Sequence, residues 1–130
     1  MLTPVTALWA AILGLLSLAL AARVVRGRIT EKVGFGDCSS IVMQQRIRVH
    51  ANFIEYVPLA LVLLLLLELN TSSILVLHAV GASLVLARLL HAFGLSTSTG
   101  TTVGRFVGTI LTWLVILAES LLLLYARLSL

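Results

Sequence analysis

Residues 48–61, "RVHANFIEYVPLAL", run directly into the apolar stretch "VLLLLL" at 62–67. Together they reach the roughly 20 residues that cross a bilayer only when their polar beginning is counted. That beginning carries Arg48, Asn52 and Glu55. Charge is costly inside a membrane, and polar groups placed there face the interior of a helix bundle or a water-filled cavity. The stretch therefore predicts a membrane helix with a polar site at one end.

The composition of the whole chain also indicates a membrane protein. Of its 130 residues, 60% are hydrophobic and 11% are charged, whereas soluble domains carry roughly 25% charged residues. A chain this short has too little interior to hide so much apolar surface. Its single cysteine, Cys38, excludes a disulfide framework. The composition thus predicts an integral membrane protein.

Four apolar segments follow one another along the chain. Each is close to the ~20 residues that cross a bilayer, and a spanning segment has to satisfy its own backbone groups, which predicts a helix. The connections are short and no internal repeat is evident, so we expect one domain over residues 1–130. Its fold class is an all-α membrane protein, an up-down bundle of four helices. The predicted helices cover about residues 4–26, 42–69, 73–94 and 104–128.

Basic residues are concentrated around the first and third connections, and the second connection, residues 68–73, has none. Basic short loops remain cytoplasmic, so we expect the first and third loops in the cytoplasm and both termini outside. This topology accounts for the net charge of +4 and leaves no reason to infer a nucleic-acid partner. The basic residues concerned are Arg23, Arg26, Arg28, Lys32, Arg46, Arg48, Arg88 and Arg105.

Arg48, Asn52 and Glu55 recur at the spacing i, i+4 and i+7, which places them on one face of a helix. They form a column of guanidinium, amide and carboxylate that descends from the cytoplasmic surface. In an alternative interpretation, Arg48 extends to the lipid headgroups and Glu55 pairs with it. That alternative leaves Asn52 without a role, so the column favours a polar ligand site.

Two further helices place guanidinium groups near the same level. Arg88 and His91 are neighbours on one face of the third predicted helix, and Arg105 opens the fourth, where Gly104 and Gly108 predict close helix packing. Guanidinium groups bind carboxylates through paired hydrogen bonds, and a carboxylate on the protein suits an ammonium group. We therefore expect a small ligand with carboxylates and an amine. The scattered histidines predict no metal site.

The stretch "RVHANFIEYVPL" at 48–59 resembles the Arg-x-x-x-Asn-x-x-Glu signature of the MAPEG family, the membrane-associated proteins in eicosanoid and glutathione metabolism. The stretches "ELN" at 68–70 and "RLLHAFG" at 88–94 are similar to the small bacterial branch of that family. The resemblance covers essentially the whole chain. It implies a homotrimer in the bacterial inner membrane, with glutathione bound between adjacent subunits near the cytoplasmic face.

The resemblance also implies roles for individual residues. Arg105 is similar to the family's arginine at the start of helix four, which stabilises the thiolate, and this makes it the expected catalytic residue. Two positions depart from the family pattern. Leu95 stands where several relatives have a tyrosine, and Phe106 stands where one relative has a serine near the thiol. The residues expected to bind glutathione are Arg26, Arg48, Asn52, Glu55, Tyr56, Arg88 and His91.

The activity implied is that of a microsomal-type glutathione transferase or peroxidase. The thiolate is the nucleophile, and a nearby guanidinium lowers the thiol pKa. The protein would present the thiolate to a lipophilic small molecule arriving from the bilayer, with no metal. The alternative is a non-catalytic membrane subunit whose polar column serves trimer packing. A small multidrug exporter is disfavoured, because the first helix has no carboxylate within residues 5–22.

One carboxylate lies far from this site. Glu119 is about 14 residues past Arg105, which corresponds to roughly 21 Å along a helix, and His78 lies at nearly the same depth on the third predicted helix. A carboxylate inside a membrane needs a partner. We predict that Glu119 and His78 face each other or share a water. The alternative is a neutral carboxylic acid, or one that reaches water through a cavity between subunits.

Overall fold

The computed structural model describes residues 3–37, 39–70 and 73–128. These residues form four α-helices and no strand, and each helix is long and apolar enough to cross a membrane. Consecutive helices pack against one another. The prediction of an all-α bundle of four membrane helices is therefore confirmed. The helices are α1 (Pro4–Glu31), α2 (Ile41–Leu69), α3 (Ile74–Thr97) and α4 (Val103–Leu128).

Two helices end later than the sequence predicts. The first helix was expected to end near residue 26, but α1 continues to Glu31, because its basic residues outside the apolar segment are good helix formers. It ends where Lys32 takes a left-handed conformation with φ of 54° and Val33 N–H donates to the Arg28 carbonyl at 2.9 Å. The third helix passes through Gly94, its expected end, and continues to Thr97.

The interior of the bundle is apolar along most of its length. Buried residues from all four helices form its central part, and a smaller cluster lies at the end where α2 stops and α3 begins. Many large apolar side chains on the outer faces are exposed, as expected for surfaces in contact with lipid. Because lipid is as apolar as these side chains, association between the helices depends on close packing and interhelical hydrogen bonds.

Glycines of α4 bring its backbone close to the backbone of α3. A Cβ atom placed on Gly108 would lie 2.6 Å from both the Ala87 carbonyl oxygen and the His91 nitrogen, and one on Gly104 would lie 3.0 Å from the Leu90 carbonyl oxygen. Such contacts leave no room for a side chain. The prediction of close packing from the pair Gly104 and Gly108 is confirmed, and the partner is α3 of the same chain.

The beginning of α1 is held by a carboxylate from the end of α2. The two carboxylate oxygens of Glu68 accept hydrogen bonds from the backbone N–H groups of Val5 and Thr6, at 2.9 and 2.7 Å. Pro4, the first residue of the helix, has no N–H group to satisfy. Glu68 therefore supplies the acceptors that the first turn of α1 lacks, and its negative charge lies at the positive end of the helix dipole.

Glu119 and His78 do not pair. His78 packs edge-on against the Trp9 ring, with 5.9 Å between ring centroids. Glu119 is 0% exposed, and its carboxylate oxygens have no hydrogen-bond partner among the described residues. No hydrogen bond therefore joins the two residues, and that they face each other or share a water stays a prediction. Because a single chain already buries Glu119 completely, its carboxylate does not line a surface between subunits.

Candidate functional site

A cavity of about 250 Å³ opens at the end of the bundle where α2 begins and α3 ends. It is formed by three helices and by the connection between α3 and α4. Its wall carries two arginines, a histidine and three side-chain amides. The lining residues are Ile41, Gln44, Gln45, Arg48, Asn52, His91, Leu95, Thr99 and Arg105.

Two members of the polar column of α2, Arg48 and Asn52, line this cavity. The structure places the three side chains in a row, with Arg48 Nη1 and Glu55 Oε1 3.7 Å apart and Asn52 Nδ2 3.5 Å from Glu55 Oε2. The side chains of Arg48 and Glu55 are 61% and 48% exposed. An ion pair this exposed contributes little stability, so both groups are free to exchange their partner for a ligand. Glu55 stands beside the cavity and does not line it.

Arg88 lies behind the column and does not reach the cavity. Its side chain is 1% exposed and lies between α2, α3 and α4. One terminal nitrogen, Nη2, donates to Asn52 Oδ1 at 2.6 Å and contacts His91 Nδ1 at 3.2 Å. The other, Nη1, donates to Thr112 Oγ1 at 3.3 Å. The guanidinium also lies over the Phe53 ring, 5.9 Å from its centroid, so Arg88 connects three helices.

His91 and Arg105 close the cavity from α3 and α4. His91 is buried and Arg105 is half-buried. Arg105 is held by the first turn of α4, where its backbone N–H group donates to Thr102 Oγ1 at 3.2 Å. The close packing of Gly94 against the backbone of Arg105 sets the distance between the two helices at this level. The structure therefore brings both residues to the same cavity as Arg48 and Asn52.

Arg26 and Tyr56, two of the residues expected to bind the ligand, do not line the cavity. Arg26 is exposed near the end of α1, and Tyr56 is half-buried on α2. Glu55 and Arg88 do not line it either, so four of the eight expected site residues lie outside the cavity wall. Within one chain Arg26 lies on α1, which contributes no residue to the cavity wall.

Other residues line or support the cavity without having been assigned a role from the sequence. Gln45 Nε2 donates to the Leu95 carbonyl at 3.1 Å, which ties α2 to the end of α3. Gln44 and Gln45 precede Arg48 by about one helical turn, and this spacing indicates from the sequence that they lie near the face of Arg48. Thr99 lies in a Ser/Thr-rich connection that offers no such signal. Thr112 lies seven residues after Arg105, so its spacing predicts that both residues lie on one face of α4. The spacing does not predict the bond between Thr112 and Arg88.

The charge and size of the cavity indicate the kind of ligand it fits. Two guanidinium groups line it and that of Arg88 lies behind it, which favours an anionic ligand. Among the described residues, no group of three His, Cys, Asp or Glu side chains is placed to hold a metal ion. At about 250 Å³, the cavity is slightly smaller than the roughly 300–1,000 Å³ of small-molecule pockets.

Comparison with known proteins extends this description. The sequence profile of the MAPEG family matches residues 6–125. The chain is also similar to the protein named inner membrane protein YecN of Escherichia coli strain K12, with 38% identity over 90 residues, which is 69% of each chain. The protein of the same name from an O6:H1 strain of Escherichia coli matches with the same identity and coverage. The family profile spans all four helices, including every residue of the cavity wall.

Proposed function

The chain belongs to the MAPEG family, and we propose that it is a glutathione-binding enzyme of the inner membrane. In this proposal it presents the glutathione thiolate to lipophilic electrophiles or to lipid hydroperoxides. The observation that carries the proposal is the convergence of Arg48, Asn52, His91 and Arg105 on one cavity beside Glu55. The inner membrane is supported by the four apolar helices and by the name of the similar Escherichia coli protein.

The proposed orientation follows the basic residues. The connection between α1 and α2 and the connection between α3 and α4 lie in the cytoplasm, since short basic loops remain there. The cavity opens at this end of the bundle, where Arg48 and Arg105 stand. Both termini are then outside. Glutathione would enter from the cytoplasm, while a lipophilic second substrate would arrive from the bilayer.

The groups around the cavity match the functional groups of glutathione, which has two carboxylates, one ammonium and two peptide bonds. The exposed guanidinium of Arg48 suits a carboxylate, and the Glu55 carboxylate suits the ammonium. Because these two side chains pair only loosely in the ligand-free chain, at 3.7 Å, a ligand with both charges replaces one weak ion pair by two charge-assisted bonds.

In this proposal Arg105 acts on the thiol. A guanidinium near a thiol favours its charged form and lowers the thiol pKa, and the thiolate is the nucleophile. In the transfer reaction the sulfur attacks an electrophilic carbon, a carbon–sulfur bond forms, and the leaving group departs with the electron pair of its broken bond. The protein holds the thiolate in position for this attack, and no side chain forms a covalent bond.

We expect Glu55→Gln to weaken glutathione binding by about 1.5–3 kcal/mol, the range for a hydrogen bond to a charged group. The amide keeps the shape of the side chain and loses the charge that the ammonium needs. Isothermal titration of the purified protein measures the change. Glu31→Gln is the matched control, because Glu31 is an exposed carboxylate at the end of α1. Unchanged affinity in a folded Glu55→Gln protein would contradict the assignment.

We also propose a homotrimer that binds glutathione between subunits. This proposal is supported by the family and by the small volume of the cavity in one chain, with Glu55 and Arg26 exposed outside it. A neighbouring subunit would complete the enclosure. Native mass spectrometry from mild detergent should show three copies, with glutathione bound to that species. A stable monomer that binds glutathione with full affinity would refute the site between subunits.

A non-catalytic membrane subunit remains the second candidate. It is favoured by the fact that both terminal nitrogens of Arg88 donate to groups of the same chain, Thr112 and Asn52. The two candidates differ in one measurement. An enzyme of the proposed kind should bind glutathione and develop the ultraviolet absorbance of a thiolate at neutral pH, whereas a structural subunit should do neither.

A further inference from the structure

The buried guanidinium of Arg88 has a consequence for the ligand, and it rests on the proposed binding of glutathione. Arginine has only hydrogen-bond donors. Every group that bonds to Arg88 must therefore turn an acceptor toward it. We propose that Arg88 is a positioning residue that orients Asn52 and His91, so that both offer N–H donors to the cavity. This wall then selects a hydrogen-bond acceptor of glutathione, a peptide carbonyl or a carboxylate.

The orientation of the Asn52 amide follows from this chemistry. Arg88 Nη2 lies 2.6 Å from Asn52 Oδ1, and the reverse orientation would place two donors against each other. The amide nitrogen must therefore point away from Arg88. Its nearest partner is Glu55 Oε2 at 3.5 Å, which is long for a hydrogen bond. Asn52 Nδ2 is thus a weakly used donor on the wall of the cavity.

The same reasoning fixes the tautomer of His91. Its Nδ1 atom lies 3.2 Å from Arg88 Nη2, and because Arg88 can only donate, Nδ1 must accept. The ring proton of the neutral imidazole is then on Nε2. His91 lines the cavity, so it contributes a second donor to the same wall.

Thr112 holds Arg88 in place from the other side. Its hydroxyl donates to the Gly108 carbonyl of its own helix at 2.7 Å, so its lone pairs remain to accept from Arg88 Nη1 at 3.3 Å. Thr112 is 1% exposed and does not line the cavity. A buried residue of α4 therefore acts on the ligand through Arg88 and Asn52.

Asn52→Asp tests the proposal most directly, because it keeps the shape of the side chain and reverses its polarity toward the cavity. The carboxylate still accepts from Arg88, but its second oxygen replaces Nδ2, which lies 3.5 Å from Glu55 Oε2. The variant is therefore made in a Glu55→Gln background and compared with Glu55→Gln alone, so that no two carboxylates meet. In that background the thermal stability without glutathione should stay the same or rise. Glutathione affinity should fall roughly 10- to 150-fold, the equivalent of losing a charged-group hydrogen bond. Unchanged affinity, or a fall in affinity that accompanies unfolding, would overturn the proposed selection of an acceptor.

Thr112→Val tests the support of Arg88 with a side chain of the same shape. We expect it to weaken glutathione binding roughly 2- to 12-fold, the range for one neutral hydrogen bond. Thr109→Val is the matched control, because Thr109 makes the same kind of bond to its own helix, to the Arg105 carbonyl at 2.9 Å, without contacting Arg88. In an Asn52→Ala background Thr112→Val should cause a smaller loss than in the wild type, since Arg88 then acts on the ligand through His91 alone. Losses of affinity that add fully in the double variant would show that Thr112 acts independently of Asn52, and would overturn the proposed coupling through Arg88.

The two proposals fail in different ways. If the wild-type protein does not bind glutathione, the proposed function is wrong. The orientation of Asn52 is then decided by ligand-free stability alone. In that case, in the Glu55→Gln background, Asn52→Asp should not destabilise the protein, whereas Asn52→Leu, which offers Arg88 no acceptor, should lower its melting temperature. Equal destabilisation by both variants would overturn the role of Arg88.

Discussion

Glutathione bound to an Arg105→Leu variant should lose most of its thiolate and keep most of its affinity. We expect the ratio of thiolate to thiol to fall about 10- to 1,000-fold, because one neighbouring opposite charge typically lowers a pKa by 1–3 units. Arg105 is half-buried and lines the cavity, so little bulk water screens its charge from a bound thiol. The carboxylates and the ammonium of the ligand should remain bound to Arg48 and Glu55.

Ultraviolet difference absorbance measures the thiolate, and titration calorimetry measures the affinity on the same samples. Arg105→Lys should restore part of the thiolate signal, since it restores the charge without the planar fork. Arg127→Leu is the control for loss of a positive charge, because Arg127 lies at the opposite end of α4 and bonds to Asn70. If thiolate and affinity fall by the same factor in Arg105→Leu, Arg105 anchors the ligand and does not activate it.

Gly108→Val should destabilise the protein by about 3 kcal/mol, the upper part of the range for inserting atoms into a packed interior. The Cβ atom alone would lie 2.6 Å from the Ala87 carbonyl oxygen and 2.8 Å from His91 Cβ. Two of the atoms in the way belong to the α3 backbone, so α3 and α4 must separate. Their separation also moves His91 and Thr112, and glutathione binding should weaken together with stability.

Gly14→Val is the matched control for this prediction. It makes the same substitution within a membrane helix, but a Cβ atom at Gly14 would meet no atom within 4 Å. Thermal unfolding in detergent should show a lower midpoint for Gly108→Val than for Gly14→Val. Equal midpoints would mean that α3 and α4 are able to move apart without cost, and that the glycines do not determine their distance.

The helices and the polar column were predictable because both depend on local patterns. Hydropathy alone identifies four segments long enough to cross a bilayer, and the spacing of Arg48, Asn52 and Glu55 places them on one face whatever the rest of the chain does. The end of α1 was less predictable. The sequence around residue 26 becomes polar because the helix leaves the membrane. In a sequence, this change from apolar to polar residues looks the same as the end of a helix.

The second layer of the site was not predictable, because it depends on contacts between distant parts of the chain. Spacing shows that Arg88 and His91 are neighbours, but not that Arg88 points away from the cavity toward Thr112. The sequence could not decide whether Glu119 and His78 form a hydrogen bond, for a related reason. The rise per residue gives the depth of each side chain, but not the direction in which it points around its helix.

The bond between Glu68 and the start of α1 bears on how the protein is made. At synthesis the first turn of α1 exists long before residue 68 has been added, and its N–H groups then have only water or lipid headgroups as partners. Val5 and Thr6 obtain their acceptors only when the end of α2 reaches the same side of the membrane. The first two helices therefore form a hairpin in which the end of α2 completes the hydrogen bonding at the start of α1.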